Sequence, residues 1–240
     1  MRFPTLTKAV CNPDHPESYK FHIVLVIITN VDDFKKRETY RKKYASITNR
    51  RAKQFRGLRT GMVFVVGEPR DVHEDAIRRE VEEHDDLVIG DFKDTPMNDS
   101  LKKYYSFAWA SMFCRKSRPT FLYLDRGSAF SIPILSAILS KLNETERGAL
   151  FHGKVVFNKK VDRYGKLKVS YQDYPWPSYP PYIEGEHMLI GFDTVERLAL
   201  GMHFTRIFNF ADAWIALTAA RLGIYAQNIY SLTSGRIALF

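Results

Sequence analysis

Four short apolar runs in the first half of the chain limit what it can fold into more than any other feature. Residues 23–28, Ile23-Val24-Leu25-Val26-Ile27-Ile28, are apolar without a break. Residues 62–67, 86–90 and 120–124 are similar, and the last run is followed directly by Asp125. A half-exposed strand alternates apolar with polar residues, whereas an unbroken β-branched run reads as a strand covered on both faces. Between the runs lie longer, more polar stretches. One runs from Asp32 or Asp33, either of which could cap a helix, to about residue 55; others span residues 72–84 and 101–113. Strand alternating with helix predicts an α/β fold with a mostly parallel central sheet and flanking helices. Ligands of such sheets sit beyond the carboxyl ends of the strands, where Asp125, Arg126 and Gly127 fall.

The remainder reads differently. Residues 1–20 are polar and contain three prolines, a lead-in to a single domain over 21–240. Residues 155–171 suggest a hairpin turning at Tyr164-Gly165. Residues 174–182, dense in proline and aromatic residues, suggest a stiff loop. A strand is expected at 188–190, a helix at 194–201, and a last helix at 211–222 stopping at Gly223. With 45% hydrophobic residues in 240, the chain can bury a sizeable core. Its net charge of +9 favours an anionic partner, but the basic residues are dispersed, so no nucleic acid is expected. Two cysteines, Cys11 and Cys114, are too few for a disulfide scaffold and lack zinc-ligand spacing; one disulfide and two free thiols both remain open. Asn98-Asp99-Ser100 and Asn143-Glu144-Thr145 are glycosylation sequons at Asn98 and Asn143.

Four segments, in this order, resemble the β-1,3-galactosyl- and N-acetylglucosaminyltransferases. The first is Lys36-Arg37-Glu38-Thr39-Tyr40-Arg41-Lys42-Lys43-Tyr44. The second is His84-Asp85-Asp86-Leu87 with Gly90-Asp91-Phe92-Lys93-Asp94, then Asn98, Leu101-Lys102, Trp109 and Cys114. The third is Tyr179-Pro180-Pro181-Tyr182 with Gly185. The fourth is Phe210-Ala211-Asp212-Ala213-Trp214 followed by Arg221-Leu222-Gly223-Ile224. The resemblance covers about residues 22 to 228. It implies a GT-A fold, Rossmann-like, and inverting transfer of a hexose from a UDP-sugar to a hydroxyl of a glycoprotein or glycolipid glycan.

Such a transfer needs a base for the acceptor hydroxyl, charge to meet the diphosphate leaving group, and walls that orient both sugars. The resemblance puts the base at Asp212, although that residue could equally cap the last helix. Arg37, Arg41, Asp91 and Lys102, with Asp125 and Arg126, are the expected nucleotide-sugar ligands. Tyr179, Tyr182, Glu184, Gly185 and Trp214 are the expected sugar and acceptor wall; packing in the core is the alternative for the aromatic residues. The family carries three consecutive aspartates that frame Mn²⁺, whereas here Asp125 is at most the one survivor. One carboxylate is a poor divalent site, because hard cations want several oxygen ligands. Either Arg126 neutralises the diphosphate instead, or catalysis is lost and a binding or scaffolding role remains, or Asp-Arg-Gly is a surface turn. Ile183 stands where the family has a cysteine. The family is held in the Golgi membrane, facing the lumen, by an N-terminal anchor. No apolar run of that length occurs here, so the chain is expected to be a fragment, an incomplete gene product or a soluble offshoot.

Overall fold

The computed structural model describes residues 1–48, 57–69, 71–95, 98–125, 127–165 and 168–229. The four apolar runs form β1 (Ile23–Ile28), β2 (Thr60–Glu68), β3 (Leu87–Lys93) and β4 (Thr120–Leu124), mutually parallel in the order β3-β2-β1-β4. Every residue of β1 and β4 is buried, as their unbroken apolar runs require. The sheet continues through β6 (Tyr182–Ile190), antiparallel to β4, then β5 (Phe151–Val156), antiparallel to β6, and the two-residue β7 (Gln227–Asn228). The expected α/β sheet with flanking helices is the fold of this chain.

Alternation along β1 assigns the two faces. Val24, Val26 and Ile28 join a core built with α3 (Asp99–Phe113), α6 (Phe192–His203) and α7 (Ala211–Arg221). Ile23, Leu25 and Ile27 point the other way, toward Tyr40 and Tyr44 of α1 (Phe34–Tyr44) and Ile134, Leu135 and Leu139 of α4 (Ile132–Leu139). Helix α2 (Glu74–His84) buries Ile77 against Val66, Leu87 and Ile89. After β3 the chain crosses to the opposite face through α3 and adds β4 on the far side of β1. Strand order therefore reverses between β1 and β4, and a crevice opens at the carboxyl ends of such strands.

Two expectations about local structure are corrected. Among the described residues of 155–171 no hairpin forms: Val169 N–H reaches the Asp162 carbonyl, but β5 pairs with β6 and β7 instead. The loop is organised by Arg163, whose guanidinium donates to the carbonyls of Val169, Tyr174 and Trp176. The first helix ends at Tyr44, well short of residue 55. In addition α4 and the short α5 (Glu144–Gly148), over a stretch given no structure from sequence, complete the fold.

The basic face of α1 is turned inward. Arg37 is fully buried; its guanidinium donates to both Glu80 oxygens, at 2.8 and 2.6 Å, and to the carbonyls of Asn30 and Val31. Arg41 donates to both oxygens of Asp86, each at 2.8 Å, and to Glu80 at 2.7 Å. Burial opposes the Glu80 charge, yet Arg37 and Arg41 outweigh it and hold its pKa below the usual range. Asp86 goes the other way, raised by its burial despite Arg41. A second buried group ties strand ends together: Lys102 Nζ lies 2.9 Å from Asp94 Oδ1 and 2.7 Å from Asn30 Oδ1. Asp94 Oδ2 accepts from the N–H groups of Val31 and Gly67.

The lead-in segment is woven into the body. Thr5 bridges Ile89, Thr7 Oγ1 donates to the Asp85 carbonyl, and Cys11 is bonded to Cys114 at the end of α3 across 103 residues, with Cα atoms 4.8 Å apart. This settles the open question of Cys114, which is paired within the chain without the cysteine that Ile183 replaces. Closing so long a loop removes chain entropy from the unfolded state. Reduction should lower unfolding stability by about 2–4 kcal/mol, seen as an earlier urea midpoint with dithiothreitol; superimposable curves would count against the bond. Arg37→Met should cost about 3–5 kcal/mol, because it strands Glu80 without its bidentate partner. Lys36→Met, which loses only the exposed pair with Asp33, should cost no more than about 1 kcal/mol in the same assay.

Candidate functional site

The site forms where β4 ends. Asp125 follows Leu124 at the carboxyl rim, and Ser128 N–H folds back onto the Asp125 carbonyl at 3.0 Å. Gly127 in that turn has φ +86°, a left-handed conformation that glycine adopts without strain. Helix α1 clamps the loop from one side: Tyr40 Oη donates to the carbonyls of Ser128 (2.7 Å) and Asp125 (3.2 Å), and Tyr44 Oη accepts from Phe130 N–H. On the other side His187 Nε2 and the Ala129 carbonyl oxygen are 2.8 Å apart, linking the loop to β6. Behind β6, helix α7 begins at Ala211, so Asp212 lies in its first turn. An open cleft of about 580 Å³ results, lined by Asp125 and residues 127–129, by residues 184–187 of β6 and by Asp212.

Gly185 is the hinge of this geometry. A Cβ at that position would overlap the Asp125 carboxylate, and Asp212 Oδ2 lies 3.0 Å from the same point. Two carboxylates from distant parts of the sequence thus converge on a strand residue with no side chain. Beneath them Lys103, 3% exposed, reaches up from α3 and places Nζ 2.6 Å from Asp125 Oδ1. Lys103, Gly185 and Asp212 also line an adjoining crevice floored by Phe151, Ile183, Met188 and Ile215.

The electrostatics follow from that arrangement. Burial pushes the Asp212 carboxyl up; Lys103 pulls it back, Asp125 and Glu184 add to the rise, and the Gly185 N–H opposes it. The outcome is a pKa of about 7. Burial works against the Lys103 charge, but Asp125, Asp212 and Asp99 outweigh it, so its pKa is raised and it is a cation at neutral pH. Glu184 at the rim is paired with Lys154 of β5 at 2.5 Å. A carboxyl poised near neutrality in a cleft can take or give a proton during reaction.

The donor set does not fit a divalent metal. Asp125 Oδ1 is occupied by an ammonium, and among the described residues no three His, Cys, Asp or Glu side chains cluster closely enough to hold an ion. Hard divalent cations require several oxygen ligands without a cation in their midst.

The structure brings together only part of the residue set expected from sequence. Asp125, Asp212, Glu184 and Gly185 line the cleft. Tyr182 stands beside it: its ring packs edge-on to Phe210, and its hydroxyl pKa is raised by burial and then by Asp212. Arg126 lies outside the described residues. Four of the expected ligands face elsewhere. Arg37 and Lys102 have no exposure, and their donors are spent on the buried networks described above; Arg41 is committed to Glu80 and Asp86. Asp91, on the outermost strand β3, accepts from Tyr105 Oη. Of the expected sugar wall, Tyr179 is buried and parallel to Phe208 with 9° between ring planes. Trp214 is 1% exposed and donates Nε1–H to the Thr205 carbonyl. Both pack the core: Tyr179 lies among Tyr174, Phe208 and Phe210, and Trp214 packs edge-on to Tyr104. Asn143 is exposed and caps α5, accepting from Glu146 N–H; Asn98 donates its amide to the Lys93 carbonyl, while Ser100 is buried.

Lys103 was not anticipated, yet a signal for it exists. It lies four residues before Phe107 and seven before Ala110, both fully buried, so a charged residue sits on the core stripe of an amphipathic helix. Tyr40 and His187, which hold the 125–129 turn, carry no comparable mark.

A galactosyltransferase family model matches residues 35–230. Human β-1,3-galactosyltransferase 1 is 24% identical over 228 residues, covering 89% of this chain and 68% of that protein. The Drosophila melanogaster β-1,3-galactosyltransferase brn is 23% identical over 230 residues, covering 95% and 67%. Among solved structures, the 4-diphosphocytidyl-2C-methyl-D-erythritol synthase of Anaerococcus prevotii is 15% identical and superposes with a TM-score of 0.44 over 90% of each chain, a likeness too distant to inform the site. Among the described residues no helix is long and apolar enough to cross a membrane.

Proposed function

Because the chain belongs to the galactosyltransferase family, we propose that its cleft transfers a hexose, galactose or N-acetylglucosamine, from a UDP-sugar to an acceptor hydroxyl in β-1,3 linkage, with Asp212 as the general base. The observation that carries this reading is the Asp212 carboxyl: poised at about pH 7, open to the cleft, and set against Asp125 at the rim of the switch-point crevice. The acceptor oxygen attacks the anomeric carbon from the face opposite the diphosphate. The new C–O bond forms as the bond to the diphosphate oxygen breaks, and the hydroxyl proton passes to Asp212. The products are the inverted glycoside and UDP. Glu184, Gly185 and Tyr182 form the wall nearest the reacting sugars, and Arg126, next to Asp125 in sequence, is the proposed diphosphate ligand. Residence in the lumen of the Golgi is supported by the Cys11–Cys114 disulfide, which persists in oxidising compartments, and by the exposed sequon at Asn143. The acceptor is then a glycoprotein or glycolipid glycan.

A second reading, a non-catalytic relative that retains nucleotide affinity, is favoured by Ala211, which stands where the resemblance implies an acidic neighbour of the base, and by there being no metal-binding carboxylate set among the described residues. Turnover separates the two. A base works only when deprotonated, so with Asp212 near 7 the rate should rise through about pH 7 and level off above it. Asp212→Asn should reduce kcat by about 10²- to 10⁴-fold, while calorimetry still detects UDP binding. Unchanged turnover would remove the base assignment; UDP binding with no turnover in the parent chain would favour the non-catalytic reading.

A further inference from the structure

The cleft poses a charge problem that its family relationship does not solve. A nucleoside diphosphate is an anion, and the cleft floor presents Asp125 and Asp212, with Glu184 and Glu186 at its margin. Two ionised aspartates would repel the ligand unless a cation intervened. The cation present in the described site is Lys103. Its Nζ sits 2.6 Å from Asp125, Asp212 and Asp99 act on it from α7 and α3, and its exposure of 3% keeps it out of bulk water. The other described lysine near the rim, Lys154, is engaged with Glu184.

We propose that the Lys103 ammonium is a built-in cation that stands in for a divalent metal, so that this cleft takes a nucleoside diphosphate without metal. The proposal rests on the reading of the cleft as a nucleotide-sugar site. Lys103 acts as a positioning residue. It pins Asp125 and cancels one negative charge beneath the ligand. The start of α7, an eleven-residue helix whose second residue Asp212 lines the cleft, adds positive potential on the same side. The same ammonium excludes Mn²⁺ in two ways: it occupies Asp125 Oδ1, and it repels a second cation. The ammonium itself is buried although the cleft above it is open, so its charge is less screened by salt than a surface charge would be.

The test uses the full chain and reads metal and nucleotide separately. Mn²⁺ alone, followed by electron paramagnetic resonance, should show no saturable binding to the parent protein. Calorimetry should give UDP affinities in EDTA and in Mn²⁺ that agree within about twofold. Lys103→Ala vacates the space between the carboxylates. The two freed carboxylates, with water in the other positions, should bind Mn²⁺ weakly but saturably, and the diphosphate oxygens should complete the ligand set, making UDP affinity at least about tenfold stronger with Mn²⁺ than with EDTA. Lys103→Arg should restore the parent behaviour, which a merely structural role for the lysine would not predict. Saturable Mn²⁺ binding by the parent protein, or UDP binding that EDTA abolishes, overturns the proposal, and neither result requires any variant to fold. A folded Lys103→Ala protein with no gain in Mn²⁺ affinity overturns it as well. If Mn²⁺ binds only the alanine variant and UDP binds neither protein, the charge substitution stands and the nucleotide-sugar reading fails.

Discussion

The close approach of two carboxylates over a strand with no side chain is the constraint on which the rest of this site depends. Any Cβ at Gly185 would overlap Asp125 and crowd Asp212, so the cleft exists only while β6 carries glycine there. That strand runs antiparallel between β4 and β5, which brings the start of α7 up against the end of β4. The first half of the chain supplies a parallel α/β frame with a crevice at its switch point. The second half inserts one reversed strand and one helix, and these turn the crevice into an acidic cleft. Neither half holds the site alone: Asp125 and Lys103 come from the first, Gly185 and Asp212 from the second.

The frame is bolted by charge as well as by apolar packing. Arg37, Arg41, Glu80 and Asp86 form one buried network, and Lys102, Asp94 and Asn30 form another at the ends of β1, β2 and β3. Buried ion pairs gain little net stability once desolvation is counted, but a partner left alone is costly, so they penalise every alternative arrangement of these elements. Part of the positive charge of the first helix is therefore spent inside the fold. Its two arginines face inward, whereas Lys36 and Lys42 remain in solvent.

The frame was legible in the residues because buried parallel strands write themselves as unbroken apolar runs, and all four were placed within a few positions. The second half was harder for a physical reason. Residues 151–156 alternate weakly, and their sheet partner lies beyond a loop of some two dozen residues stiffened by Arg163. Local pairing to residues 165–171 was therefore the natural but wrong expectation. The site divided along similar lines. Asp125 could be picked out because it ends an apolar run at the rim of a parallel sheet, and Asp212 because the resemblance implies an acid at that position. Arg37, Lys102, Tyr179 and Trp214 were misplaced because residue type says what a side chain can bind, not which way its element is rotated. Lys103 was overlooked beside Lys102, although adjacent helical residues diverge by about 100° and the two ammoniums serve different strands along the same carboxyl rim.

That divergence links the frame to the chemistry. One turn of α3 sends Lys102 into the bolt beneath β1 and β2 and Lys103 into the cleft beside β4, so the helix that positions the frame also sets the charge of the site. Asp212 is held near neutrality by opposed influences: burial, Asp125 and Glu184 raise it, Lys103 and the Gly185 N–H lower it. Each contributor has a second task. Asp125 anchors the turn that Tyr40 clamps, Lys103 neutralises the floor, and Gly185 makes room for both acids. A mobile metal ion would tie this balance to ion supply and to its own exchange. A lysine fixed on a buried helix makes it a property of the fold, present whenever the chain is folded. In the proposed transfer the charge cannot leave with the product, so release of the diphosphate would come from loss of its remaining contacts rather than from departure of a metal complex.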